Sequence, residues 1–118
     1  KFLLSNLQLE KSVINKDEST FVSVNVKNIG KYVGEEVIQL YIRDVFSSVT
    51  RPVKELKGFK KIRLEPGETQ KVEIEILPEH LAFTDINMEY KVEPGSFEIF
   101  VGTSSRDEDL MKVLLTVI

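Results

Sequence analysis

Apolar and polar side chains change places at every second residue along much of this 118-residue chain, and a repeat of two marks strands with one face turned inward. Val22, Val24 and Val26 alternate with Ser23, Asn25 and Lys27, and Ile38, Leu40 and Ile42 alternate with Gln39, Tyr41 and Arg43. The pattern returns at Val72, Ile74 and Ile76 and at Phe97, Ile99 and Val101, which leaves Glu73, Glu75, Glu98 and Phe100 on outward faces. Leu3, Leu7 and Leu9, then Met88, Tyr90 and Val92, then Leu110 to Ile118 bring the expected total to seven or eight strands. No stretch carries the 3.6-residue period of a long amphipathic helix, so alternating βαβ architectures are excluded. What remains is all-β: two packed antiparallel sheets forming a β-sandwich.

Turn residues fall where antiparallel corners need them. In Glu65-Pro66-Gly67-Glu68 and Glu93-Pro94-Gly95-Ser96 the proline fixes φ and the glycine accepts the positive φ of a type II turn. Asn28-Ile29-Gly30 is expected to close its strand through left-handed backbone, which Asn and Gly tolerate. Pro78 suits a first helical position, so Pro78 to Phe83 reads as a one-turn helical corner. The stretch from Asp44 to Glu55 breaks the alternation and contains Pro52, placing it as a long crossover or edge segment. Around Gly58-Phe59 the apolar phase slips, the mark of a β-bulge or a close backbone approach.

The length suits one domain spanning 1–118. The sequence opens at Lys1, without Met and already inside a patterned segment, so a piece excised from a larger multidomain chain is expected. A net charge of -3 supplies no field to recruit nucleic acid or an anionic membrane. No apolar run approaches the ~20 residues of a membrane helix. Without cysteine there is neither disulfide nor thiolate metal site, and cytoplasmic, periplasmic and secreted settings all fit.

His80 is the sole histidine, so neither a two-His metal site nor a Ser-His-Asp triad can be assembled; the reading is a partly exposed corner residue, with no metal and no cofactor. Paired carboxylates are a weaker exclusion, because a glycosidase needs two of them about 5–9.5 Å apart. Outward Glu73, Glu75, Glu89 and Glu98 could meet that spacing as ordinary cross-strand neighbours. Spacing without a pocket to desolvate one carboxyl makes no general acid, so no catalytic residue is assigned. Gly102-Thr103-Ser104-Ser105-Arg106-Asp107 follows a strand but lacks phosphate-loop spacing, and reads as a polar loop. There is no Trp, and the outward aromatics Tyr41, Phe100 and Tyr32 stand at no recognisable spacing; direct sugar binding is not expected. Between Arg51 and Arg63 six basic side chains accompany one acid, Glu55. That concentration fits either an edge strand guarded against aggregation or a contact surface for an acidic neighbouring domain.

Several strings are more specific than the pattern. Val24-Asn25-Val26-Lys27-Asn28-Ile29-Gly30, Gly34-Glu35-Glu36-Val37-Ile38-Gln39-Leu40-Tyr41-Ile42 and Ser47-Ser48-Val49-Thr50-Arg51-Pro52-Val53-Lys54-Glu55-Leu56-Lys57-Gly58-Phe59-Lys60-Lys61 come first. Leu64-Glu65-Pro66-Gly67-Glu68-Thr69, Leu81-Ala82-Phe83, Val92-Glu93-Pro94-Gly95-Ser96-Phe97 and Val101-Gly102 follow. Together, from Thr20 to Asp107, they resemble the fibronectin type III-like domain that ends many family 3 glycoside hydrolases. Tyr90 departs from the Trp found in many relatives.

The resemblance implies a fibronectin type III-like β-sandwich that packs on the other domains of a β-glucosidase- or β-xylosidase-like enzyme acting on terminal β-linked sugars. In that family an N-terminal barrel supplies the nucleophilic Asp and an α/β sandwich domain the acid/base Glu. Neither lies in these 118 residues, so the expected role is accessory and structural, with the catalytic domains of the parent chain as partners. Phe46, Thr50, Arg51, Pro52, Lys54, Glu55 and Phe59 are the expected docking residues, because alternation fails, proline intervenes and positive charge gathers there. The alternative is a free-standing immunoglobulin-like module that binds carbohydrate or protein.

Overall fold

The computed structural model describes residues 1–45, 54–84, 90–92 and 94–118. Strands β1 (Phe2–Leu9), β3 (Thr20–Asn28) and β6 (Thr69–Ile76) form one sheet in the order β1-β3-β6. The second sheet has the order β2-β10-β9-β4-β5, from β2 (Val13–Ile14), β4 (Gly34–Asp44), β5 (Glu55–Leu64), β9 (Gly95–Gly102) and β10 (Leu110–Val117). Eight strands thus make the sandwich among the described residues, within the expected seven or eight, although Val13–Ile14 is not among those expected and the stretch at Tyr90 lies outside the two sheets. A separate two-stranded ladder joins β7 (Phe83–Thr84) to β8 (Tyr90–Lys91). Met88, Glu89, Glu93 and the side chain of Tyr90 lie outside the described residues.

The core forms where the inward sets meet: Val22, Val24, Val26, Val72 and Ile76 from one sheet pack in a cluster with Ile38, Leu40, Ile42, Phe97, Ile99 and Val101 from the other. Each fully buried side chain of this kind contributes about 1.5–3 kcal/mol, so the two-residue repeat and the sheet pairing select the same structure. Every ladder in the sandwich is antiparallel except the short one from β2 to β10. There the chain leaves β1 and crosses to the opposite sheet, and Thr116 and Ile118 donate to the carbonyls of Ser12 and Ile14.

Local exceptions have identifiable causes. Leu3 is exposed, whereas Phe2 and Leu4 pack against the core together with Leu7 and Leu9. The inward parity changes because an extra residue sits between Ser5 and Gln8, where Asn6 takes φ 58°; a bulge of this kind reverses which side chains face in. The slip expected at Gly58-Phe59 is also a bulge, since Leu40 pairs with Gly58 but Tyr41 pairs with Leu56.

The turn at Glu65–Glu68 is as expected: Glu68 N–H donates to the Glu65 carbonyl at 3.0 Å and Gly67 has φ 80°. A Cβ there would meet nothing within 4 Å, so backbone strain alone opposes one. Gly67→Ala is expected to cost about 1–2 kcal/mol, read as a lower urea midpoint with an unchanged m-value.

Asn28 corrects the sequence reading. Neither it nor Gly30 has positive φ. The strand is closed instead by the buried Asn28 side chain, whose Nδ2 donates to the carbonyls of Tyr32 and Leu64 at 2.8 and 3.0 Å while its Oδ1 accepts from Gly30 N–H at 2.8 Å. A side-chain amide supplies both donors and an acceptor, so the chain can turn without left-handed backbone.

Helix α1 (Pro78–Leu81) begins with proline, as expected, and buries Leu81. His80 holds its start: Nδ1 accepts the Leu77 N–H at 2.9 Å while His80 N–H donates to the Leu77 carbonyl at 2.9 Å. Accepting at Nδ1 requires the neutral ring. Burial pushes the His80 pKa below its ordinary value, and nearby Lys57 acts in the same direction against the opposing pull of Glu79 and Glu75. A depressed folded-state pKa means that the bond's contribution is complete above the unfolded value and is lost as pH falls through the folded one. Thermal stability is therefore expected to decline on acidification from neutrality through this window. His80→Gln, whose amide oxygen can accept the same N–H, should flatten that part of the melting-temperature profile while keeping the stability at neutral pH.

Candidate interdomain surface

The register of the five-stranded sheet lays its outward side chains in rows. One row runs Leu114, Glu98, Arg43 across β10, β9 and β4, and the next runs Lys112, Phe100, Tyr41, Leu56 out to β5. A third runs Leu110, Gly102, Gln39, Phe59. Period-two alternation puts Glu98 and Phe100 outward correctly, but each is only 9% exposed. Their neighbours cover them. The missing information is cross-strand register, which appears only once β9 is paired with β4 and β10.

Glu98 is gripped from both sides. Arg43 Nε donates to its Oε1 at 2.6 Å, a second guanidinium nitrogen pairs with the same oxygen, and Lys112 Nζ donates to Oε2 at 3.1 Å. Burial pushes the Glu98 carboxyl up, but the hydrogen bonds and charges of Arg43 and Lys112 outweigh it and hold the group below the usual carboxylate range. Phe100 is roofed by two cations, with Arg43 Cζ and Lys54 Nζ each 5.7 Å from the ring centroid. Tyr41, directly opposite Phe100, donates its hydroxyl to Gln39 Oε1 at 2.5 Å. Two of the three aromatics named from the sequence are therefore cross-strand neighbours, while Tyr32 is 81% exposed in the turn between β3 and β4.

Of the expected docking residues, Phe46, Thr50, Arg51 and Pro52 lie outside the described residues. Lys54 stands over Phe100, Glu55 opens β5 and lies 3.5 Å from Lys57, and Phe59 is 67% exposed on the outer face. Strand β5 is the sheet edge; most of the Asp44 to Glu55 segment expected as a crossover or edge lies outside the described residues. Leu56 and Leu114 add exposures of 52% and 54% to the same face. Single exposed apolar residues are ordinary; here Leu56, Phe59 and Leu114 lie in three neighbouring rows of one sheet face.

Chemistry is harder to place. The cavity between Ile42, Asp44, Glu55, Lys57, His80 and Phe97 holds about 20 Å³, room for a single water and not for a sugar. A larger depression of about 170 Å³ over the three-stranded sheet includes Glu10 and Glu73, both exposed. Among the described residues no group of three or more His, Asp or Glu side chains converges on a metal position, and no helix is long and apolar enough to cross a membrane.

The fibronectin type III-like domain family matches residues 36–105. The chain is 48% identical over 106 residues to a putative β-xylosidase of Formosa agariphila, covering 90% of this chain and 14% of that protein. It is 44% identical over 104 residues to the periplasmic β-glucosidase of Salmonella typhimurium, covering 88% of this chain and again 14% of the relative. A solved β-glucosidase from Erythrobacter marinus superposes over 100% of this chain and 15% of its own, with a TM-score of 0.92 and 39% identity. These relatives are glycoside hydrolases of which the chain spans about one seventh, the C-terminal portion. The chain belongs to the fibronectin type III-like domain family and corresponds to the C-terminal domain of family 3 glycoside hydrolases.

Proposed function

We propose that these residues form one non-catalytic domain that packs on and stabilises the catalytic domains of a β-glycosidase acting on terminal β-linked sugars. The observation that carries this reading is the outer face of the five-stranded sheet, where exposed Leu56, Phe59 and Leu114 surround a cationic centre. Covering each of those side chains is worth up to about 1.5–3 kcal/mol, enough for a few of them to hold a domain in place against its neighbour. Lys54 and Phe59 belong to this face; Phe46, Thr50, Arg51 and Pro52, outside the described residues, and Glu55, which lines the His80 cavity on the other side of β5, complete the docking edge read from the sequence. Catalysis by the domain itself is disfavoured because the His80 cavity is too small for a sugar and its lone imidazole is engaged with Leu77. The purified 118 residues are expected to leave an aryl β-glucoside and an aryl β-xyloside intact under conditions where the complete enzyme cleaves one of them. Turnover by the isolated chain overturns the non-catalytic reading, and unchanged thermal stability of the complete enzyme after joint replacement of Arg51 and Lys54 by Ala overturns the docking edge.

A further inference from the structure

Arg43 and Lys112 share the single carboxylate of Glu98 at the centre of the outer face, so this trio carries one net positive charge. Glu98 occupies one edge of the Arg43 guanidinium, and a guanidinium has five N–H donors in a fork suited to carboxylates. The side chains of Arg43 and Lys112 remain 40% and 53% exposed. Together with Lys54, Phe100 and Leu110 they line a cleft of about 320 Å³.

We propose that this cleft is a carboxylate-binding site, and that its occupant is an Asp or Glu side chain on an apolar-flanked segment of the catalytic part of the parent enzyme. The inference rests on the accessory-domain reading above. A neutral sugar is a poor fit, because the one aromatic ring in the cleft is only 9% exposed beneath Arg43 and Lys54 and offers no stacking face. A soluble sugar acid matches the charge but leaves Leu114 and Phe59 in the flanking rows, and Leu56 at the end of the Phe100 row, facing water. A protein segment satisfies both, placing its carboxylate among the cations and its apolar neighbours over those side chains. Glu98 then has a further role: by holding Arg43 and Lys112 in place it presents them to the incoming acid, and a pre-positioned pair loses less side-chain freedom on binding.

The test is zero-length cross-linking of the intact parent enzyme with a water-soluble carbodiimide, followed by proteolysis and mass spectrometry. Only an amine and a carboxylate in direct contact become joined. A peptide linking Lys54 or Lys112 to an Asp or Glu outside these 118 residues is the expected result. Recovery of the internal Lys112–Glu98 link alone, from ion partners 3.1 Å apart, overturns the proposal. A parallel arm measures acetylation of Lys54 and Lys112 with and without glucuronic acid. Protection by the sugar acid, with no link to another domain, assigns the cleft to a soluble ligand and also overturns the proposed occupant. Calorimetry of the same enzyme separates the two readings: one coupled unfolding transition with only the internal link removes the cleft proposal and leaves the accessory role, whereas independent transitions remove both.

Discussion

Replacing Asn28 with aspartate is expected to lower stability by about 3–5 kcal/mol, more than replacing it with alanine. The buried amide donates to two carbonyls, those of Tyr32 and Leu64, and accepts from Gly30. Alanine strips partners from three backbone groups, but only the Leu64 bond is buried, where its loss costs about 1–3 kcal/mol; the Tyr32 and Gly30 groups are within reach of water, which replaces most of what they lose. Aspartate keeps the acceptor but aims a charge at two carbonyl oxygens, a burial that costs still more. That variant also has a distinctive pH signature. Repulsion and burial favour the protonated carboxyl in the folded state, raising its folded pKa; the deficit is full above that value and shrinks as pH falls through it. Urea titrations of both variants across the acid range provide the check, and an aspartate deficit that stays constant or grows on acidification contradicts the assignment.

Gly102→Ala is the second large effect, and it acts through space rather than φ. Gly102 ends β9 opposite Leu110, and a Cβ built there meets the Asp109 carbonyl oxygen at 2.0 Å and the Leu110 side chain at 2.9 Å. The contact is with backbone, so no rotamer change relieves it. The hairpin has to open at the short helical turn Asp107–Asp109, where Asp109 accepts from Ser104 Oγ at 2.7 Å and Arg106 Nε at 3.2 Å. Overpacking against a backbone atom is expected to cost about 3 kcal/mol or more, which lowers the melting temperature of a domain this size by roughly 10 °C or more. Gly102→Ser should be no better, since it adds the same Cβ.

Much of the fold is legible because one face of each strand is buried, so the two-residue repeat at Val22–Val26, Ile38–Ile42 and Phe97–Val101 is also a burial map. The Pro66-Gly67 corner is equally local, its chemistry complete within four residues. What the repeat conceals is non-local. Asn6 reverses the parity of β1, and nothing in Phe2-Leu3-Leu4 says which of the three turns outward until β3 is laid beside them. Asn28 reads as a left-handed residue because its turn is visible in sequence, whereas its partner Leu64 lies 36 residues away. The same limit applies to the surface. Glu98 and Arg43 are 55 residues apart, and Tyr41 meets Phe100 only through the β4–β9 register. Broken alternation and basic charge led to Lys54 and Phe59, but not to the centre that Lys54 covers.

If the proposed accessory role holds, the catalytic domains depend on a lesion they do not contain. Gly102→Ala lies inside the β9–β10 hairpin and adds no charge, so it weakens this domain without altering any substrate-contacting group in another. The decisive measurement is scanning calorimetry of the complete parent enzyme, wild type and Gly102→Ala, with residual glycosidase activity followed along the same temperature axis. The account predicts that the catalytic unfolding transition and the loss of activity both move down with the transition of this domain. A Gly102→Ala enzyme in which this domain melts early, while the catalytic transition and the activity midpoint stay at their wild-type temperatures, contradicts it.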